Sequence, residues 1–433
     1  MKQISVVLVG AGNRANVYAE LALRKPEMLR VVGIVDPDPV RTKIIRERYS
    51  VPTENCFSSV DEFVKRDKFA DAVINGTMDH LHVPTSIPIL KKGYDMLLEK
   101  PFAVNKEEMW ELVKVANEEN RKVIIGHVLR YTPFYSAIKK HIVNGDIGEI
   151  MNIYLCEHVS YHHLGTAYVR GKWASEKKCH ATMLLAKCCH DMDIMMWMLS
   201  ETKPVNISSF GSQFQFVEGK KPEGAGTRCM EDCPYVDTCL FSAYSHYIDH
   251  PDRWAQYVWK CIEGEGEVDI ERKKESLRTD NPYGKCAWDY NRDTNVESQT
   301  VIVNFESGAL GTLNMVGGAA SPERNIHIIG TKGEIKGSFE TSKYSLKKIA
   351  PSTEKGYVEE LYDLEVGGDM TGAQGAHGGG DGLLTEDFVK YLNGEEPSIS
   401  CTDINDSTLS HLAVFKADES RMNKRIEEVD IHQ

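Results

Sequence analysis

Gly10-Ala11-Gly12-Asn13-Arg14-Ala15 places two glycines and a small residue at the spacing of a pyrophosphate cradle. The first glycine permits a tight turn, the second lets the backbone approach the phosphates, and Ala15 allows close packing of a following helix. A helix that opens there turns its N-terminus toward the phosphate charge. Asp36 closes the next apolar run, where a carboxylate accepts hydrogen bonds from a ribose diol and repels a 2′-phosphate. Asp38 adds to that repulsion and Arg41 opposes it, so the balance favours NAD over NADP. The alternative is an ordinary glycine turn, and the position between a strand and a helix argues against it.

A second set of residues lies far along the chain. Lys187, His190, Asp191 and Ile194 fall within about 100° of helical arc. An imidazole with a pKa near ~6.5 is suited to taking an alcohol proton at neutral pH; the alternative is a satisfied core histidine. Lys187 would supply charge or a proton, or pair with Asp191 at i, i+4. A third set is sulfur: Cys229, Cys233 and Cys239 lie within eleven residues, and Cys286 follows. Four thiolates in one segment suit a structural tetrahedral zinc, with an iron–sulfur cluster or free thiols as alternatives. The surrounding insertion, 217–290, reads as too poor in apolar residues to hold itself by burial, and distant from the nucleotide end.

These residues need positioning elements. Apolar runs at 4–9, 31–35, 72–74, 96–98 and 123–125 have strand length and alternate with helix-like stretches. Continuous apolar strands suit a parallel sheet covered on both faces. Asn105 with Glu108 signals a helix start, and Met109, Leu112, Val113 and Ala116 make one apolar face. The alternation predicts a doubly wound α/β domain over 1–130. After 130 the pattern changes: strands are expected at 150–155, 205–210, 300–305, 309–315 and 325–329, with helices near 183–199 and 405–424. Turns such as Glu306-Ser307-Gly308 predict antiparallel pairing. The expected second domain, 131–433, is therefore α+β with a large, mainly antiparallel open sheet. Eight glycines between Gly367 and Gly382 lead into helical spacing from Leu383, and His377-Gly378-Gly379-Gly380-Asp381 reads as a lid loop or a linker with Asp381 as helix cap.

Composition sets the outer bounds. The 433 residues carry 41% apolar and 27% charged residues, enough for a buried core. Fifty-one basic against 64 acidic residues give a net charge of −13, which argues against nucleic acid or an anionic membrane surface as partner. No apolar run reaches the ~20 residues of a membrane helix. The start, Met1 to Val9, faintly imitates a signal peptide but runs into Gly10 without a cleavage site. Eleven cysteines, an odd number with Cys188 and Cys189 adjacent, make a poor disulfide framework. A cytoplasmic globular protein is expected.

Glu99-Lys100-Pro101 follows the run 96–98 and precedes the helix at Asn105. Together with the glycine fingerprint, His190-Asp191-Met192-Asp193, and Gly126-His127-Val128-Leu129-Arg130-Tyr131, it makes the chain resemble the Gfo/Idh/MocA oxidoreductase family, which includes inositol dehydrogenases and glucose–fructose oxidoreductase. Tyr168-Val169-Arg170-Gly171-Lys172-Trp173 is similar to a bacterial subgroup with unassigned substrates. The resemblance implies that Lys100 sits beside the nicotinamide and the substrate hydroxyl, with a cis bond before Pro101. It places Thr77, His80 and His82 on the nicotinamide-side loop and counts Asn13, Arg14, Glu99 and His127 with the cofactor residues. It makes His190 the general base, commonly with an Asp four residues earlier; Ala186 occupies that position here. Arg130, Tyr131, His162, His163, Arg170, Trp173, Asp191 and His377 are the expected partners of a hydroxyl-rich substrate.

The resemblance implies NAD-dependent oxidation of a secondary hydroxyl on a sugar, glycoside or cyclitol. Two alternatives stay open: redox-neutral glycoside cleavage through a transient keto-sugar, and a non-catalytic NAD-binding sensor. An open sheet face needing cover implies a homo-oligomer, a dimer or tetramer.

Overall fold

The structure, a computed structural model, describes residues 1–430 except 267, 291, 294 and 365–376. Much of the glycine-rich segment 367–382 thus lies outside the described residues, which resume at His377. Strands β1 (Ile4–Val9), β2 (Leu29–Val35), β3 (Cys56–Phe57), β4 (Ala72–Asn75), β5 (Asp95–Leu98) and β6 (Val123–Ile125) form a parallel sheet in the order β3-β2-β1-β4-β5-β6. Val6 lies opposite both Val31 and Ala72, so β1 is central. Its neighbours β2 and β4 run to opposite sides, and the carboxyl ends of these strands open the crevice in which such sheets bind ligands. The apolar runs are continuous because helices cover both faces: Val7 and Val73 enter one core, Leu8 and Ile74 the other.

The helix Lys106–Glu118 starts as its sequence predicts, with the Asn105 side chain accepting from the Glu108 amide. Asp38 caps the helix Pro39–Tyr49 through the Val40 and Arg41 amides. Two helices near the end of the chain return to this domain. Leu384, Phe388 and Val389 of the helix Gly380–Leu392 fill the core around β1, and Ile404 and Leu412 of the helix Ile404–Asn423 fill the other side.

The second sheet has nine strands: β7 (Ile150–Ser160), β8 (Pro204–Ser212), β9 (Ser298–Phe305), β10 (Leu310–Ala319), β11 (Asn325–Gly330), β12 (Gly333–Ser338), β13 (Lys343–Ile349), β14 (Tyr357–Asp363) and β15 (Glu427–Glu428). The order is β14-β13-β12-β11-β7-β10-β9-β8-β15, antiparallel except between β7 and β10. It extends beyond the expected strands to β12, β13 and β14, where the inward apolar residues Ile335, Tyr344 and Leu346 stand singly among lysine, glutamate, serine and glycine. One face packs on the helix Met183–Met198, which is buried on nearly every side. The other face leaves Tyr154, Ile302, Val316 and Leu361 exposed. Among the described residues no helix is long and apolar enough to cross a membrane.

The insertion corrects two expectations. It holds its own core of Cys229, Ala243, Tyr247, Ile248, Ala255, Val258 and Leu277, so burial does the work assigned to a metal. It also lies against the first domain rather than far from it.

Candidate active site

One cavity of about 1140 Å³ runs from the glycine turn to the helix Met183–Met198. At its nucleotide end, Gly10 takes φ +76°, and a Cβ there would sit 2.8 Å from the Thr77 nitrogen. Only glycine satisfies both the left-handed backbone and that close approach. A Cβ on Gly12 would meet nothing within 4 Å, because that position opens into the cavity. Gly76 packs against Ala15, where a further Cβ would come within 2.9 Å of the Ala15 nitrogen. The Asp36 carboxylate accepts from the Ala11 and Asp38 amides at 2.8 and 2.9 Å, which fixes it at the end of β2 facing the cavity. The helix Asn13–Ala19 begins at the turn, so its free amides add positive potential there. Cradle, carboxylate and helix end fit a dinucleotide.

At the other end, Glu99-Lys100-Pro101 leaves β5 with a cis bond before Pro101. Lys100 Nζ donates to the Ala186 carbonyl oxygen at 2.9 Å. Glu99 is buried and accepts from Tyr18 Oη at 2.6 Å and Arg14 Nε at 2.9 Å. Gly126 is needed beside it, since a Cβ there would lie 2.4 Å from Glu99 Oε2. His82 is fully buried beneath this loop. Its Nδ1 donates to the Pro101 carbonyl oxygen at 2.6 Å and its Nε2 lies 3.2 Å from the Thr77 oxygen, so it braces one loop against the other.

His190 lines the cavity with Nδ1 unpartnered among the described residues. Burial, reinforced by Lys100, His127 and His377, holds its pKa well below the ordinary imidazole value. Its ring centre lies 5.9 Å from that of His377. His377 Nδ1 donates to Asp381 Oδ2 at 2.8 Å, and Arg14 binds the other oxygen of Asp381. Burial alone would raise the Asp381 carboxyl; Arg14 and His377 hold it at about 2. The cavity therefore contains an aspartate-oriented histidine, supplied from residue 377 rather than from the turn before His190.

Sequence reasoning missed Glu157, Arg324 and Glu340, which complete a polar wall beside these histidines. Lys187 pairs with Glu157 of β7 at 3.2 Å, not with Asp191. Asp191 instead accepts from Arg324 Nε at 3.0 Å and is turned out of the cavity lining. Burial pushes the Asp191 carboxyl up to about 7, with Arg324 opposing and nearby Glu157 adding to the rise. Arg324 and Glu157 line the cavity with Lys187, Glu340 and Tyr168. Trp173 also lines it, its indole Nε1 donating to Asp79 at 2.8 Å. His163 is stacked on Trp254 with ring centres 3.5 Å apart.

Other expected site residues are turned away. Arg130 is 3% exposed and makes two bonds to Asp193, at 2.6 and 2.7 Å. Tyr131 donates to Asp387. Arg170 donates to the carbonyls of Lys285 and Phe241, tying the insertion to its neighbour. His127 is buried between the rings of His190 and His411, with neither nitrogen hydrogen-bonded among the described residues. His80 packs against His180, and His162 against Tyr161, both outside the cavity lining. Arg14 lines the cavity, but its guanidinium is committed to Glu99, Tyr18 and Asp381.

The zinc expectation is also corrected. Among the described residues no group of three or more His, Cys, Asp or Glu side chains stands where it could hold a metal ion. Cys229 is buried in the insertion core with Arg170 Nη2 3.5 Å from its sulfur, and Cys239 accepts from the Phe241 amide.

Residues 4–127 match the family model described as oxidoreductase family, NAD-binding Rossmann fold, and residues 139–404 match its C-terminal alpha/beta domain. The YteT protein of Bacillus subtilis is 24% identical over 368 residues, 83% of this chain and 81% of that one. An inositol 2-dehydrogenase of Corynebacterium glutamicum strain R is 22% identical over 223 residues, where the match spans 51% of this chain and only 58% of that protein. The solved scyllo-inositol dehydrogenase of Lactobacillus casei superposes with a TM-score of 0.64 at 15% identity, over 99% of this chain and 98% of that one.

Proposed function

Because this chain belongs to the Gfo/Idh/MocA oxidoreductase family, we propose that it oxidises a secondary hydroxyl of a sugar, glycoside or cyclitol with NAD. The observation that carries this reading is that Lys100 and His190 share one cavity with Gly12 and Asp36. NAD, when bound, supplies the acceptor for the hydride. Gly10, Gly12 and the start of the following helix would hold its pyrophosphate, and Asp36 the adenosine ribose. Lys100, fixed through the Ala186 carbonyl, presents its remaining ammonium protons to the substrate hydroxyl. His190, kept neutral, takes the hydroxyl proton. Trp173 offers an aromatic face, and Lys187 and Arg324 offer donors to further hydroxyls. The test is a panel of pyranosides and inositols with NAD, read by NADH formation. Stoichiometric NADH with one of them supports the reading; no NADH with any, in protein that binds NAD, sinks it.

A second reading has one specific observation in its favour. The His377–Asp381 pair stands beside His190, ring centres 5.9 Å apart, which gives two acid–base groups where net oxidation uses one. Redox-neutral glycoside cleavage through a transient keto-sugar needs a second group to take the proton beside the new carbonyl or to protonate the leaving oxygen. Release of nitrophenol from a nitrophenyl glycoside without net NADH favours this route.

We further propose a homo-oligomer that covers the exposed sheet face around Tyr154, Ile302 and Leu361. A monomer by light scattering at micromolar concentration would contradict it. The eleven free thiols suit a reducing, cytoplasmic compartment.

A further inference from the structure

We propose that the insertion is part of the cofactor site and that its Glu263 selects against a nucleotide carrying a 2′-phosphate. The inference rests on the reading of the groove as an NAD site. The adenosine end of the cavity has two walls. One is Rossmann: Asp36, Asp38 and Arg41. The other is the insertion, which contributes Tyr257, Glu263 and Gly264.

Two anchors on opposite sides of Glu263 seat this segment. The Tyr257 hydroxyl is hydrogen-bonded to Asn13, inside the glycine turn. Gly264 takes φ +93° and lies so close to the helix Pro39–Tyr49 that a Cβ would come within 2.7 Å of Val40 Cγ1. Between them, Glu263 Oε2 accepts from Arg41 Nη2 at 3.0 Å, while Asp38 stands 3.8 Å from the same nitrogen.

Arg41 is the cation best placed to meet a 2′-phosphate, being in the first turn of the helix that follows Asp36. Of the neighbouring cations in the lining, Arg48 pairs with Glu20 and Lys273 lies over the Trp259 ring, while Lys260 of the insertion sets its charge against Lys172, toward the other end of the cavity. A 2′-phosphate would have to separate Arg41 from Glu263 while facing Asp36 and Asp38, three carboxylates against one guanidinium. A free 2′-hydroxyl meets no such conflict, and it can donate to Asp36.

The test is calorimetric titration of the full-length protein with NAD and with NADP. In Glu263→Gln the ratio of the NADP to the NAD dissociation constant should fall at least tenfold, because Arg41 is released. Adding Arg41→Ala to Glu263→Gln should restore the ratio. Tyr257→Ala, which loosens the segment at its other anchor, should move the ratio in the same direction as Glu263→Gln. A ratio within threefold of wild type in a Glu263→Gln protein that still binds NAD overturns the inference, as does a wild type that binds neither nucleotide. A wild type that binds NAD and oxidises nothing overturns the proposed reaction and leaves this inference standing.

Discussion

Lys100 Nζ is hydrogen-bonded to the main-chain oxygen of Ala186, one helical turn before His190. The parallel sheet and the second domain's central helix are thereby joined at the point where chemistry is expected. The residue at 186 contributes through its carbonyl, so the absence of a carboxylate side chain there leaves Lys100 anchored.

From that arrangement, Lys100→Met and His190→Asn should each lower kcat/KM at least ~100-fold, the usual scale for a lost proton-transfer group. NAD titration should still show binding in both, since the glycine cradle and Asp36 are untouched. Near-normal turnover in either variant would remove that residue from the mechanism.

The pH dependence follows from the position of His190. A base works in its neutral form, and burial with Lys100 nearby pushes protonation of His190 below the ordinary ~6.5. The acid limb of kcat/KM should therefore lie below pH ~6.5, with a flat profile from there to neutrality. In Lys100→Met one positive neighbour is gone, so an NMR titration of the His190 ring should show its pKa rise toward the ordinary value. An unchanged titration would show that the two groups do not interact.

His377→Asn separates the two reactions. The amide keeps a hydrogen-bonding group near Asp381 but exchanges no proton. NADH formation from a polyol should fall less than ~10-fold, whereas glycoside cleavage, if the protein performs it, should fall at least ~100-fold. A large loss of NADH formation would make His377 rather than His190 the base.

The two fingerprint glycines should fail differently. Gly10→Ala forces a side chain into φ +76° and against Thr77, and should lower unfolding free energy by about 2 kcal/mol or more. Gly12→Ala meets nothing in the fold. Its melting temperature should match wild type while NAD affinity drops at least ~10-fold, because the added methyl occupies the space the pyrophosphate approaches.

Arg130 tests the border between site and core. Its pair with Asp193 is buried, and Arg130→Ala leaves that carboxylate uncompensated, at about 3–5 kcal/mol in urea unfolding. A change in KM with stability unaffected would return Arg130 to the substrate site.

Local signals carried much of this site. The glycine spacing, Asp36, Glu99-Lys100-Pro101 and His190 each announce themselves within a few residues, and all of them face one cavity. Glu157 and Arg324 do not, because sheet pairing brings them together: β7 and the start of β11 are neighbours only once the nine strands assemble. Arg130 and Tyr131 are the converse case. They adjoin His127 in sequence, yet the tight turn there points them inward to Asp193 and Asp387. The insertion was hardest, since its contacts with Asn13 and Arg41 cross more than two hundred residues and its short helical turns have no long periodicity. The strands from 333 to 363 lie at one edge of the sheet, where single apolar residues among polar ones make no continuous run.

Arg14 and Asp381 are joined across 367 positions, and Phe388 and Val389 complete the core that β1 begins. On the ribosome, the first six strands emerge well before those residues are made, by an interval of tens of seconds at ~5–20 residues per second. Throughout that time Ala15, Tyr18 and Leu21 cover only part of the apolar surface over β1, and the part that Leu384, Phe388 and Val389 fill stays open. The cofactor domain, although its strands are synthesised first, is completed only near the end of translation.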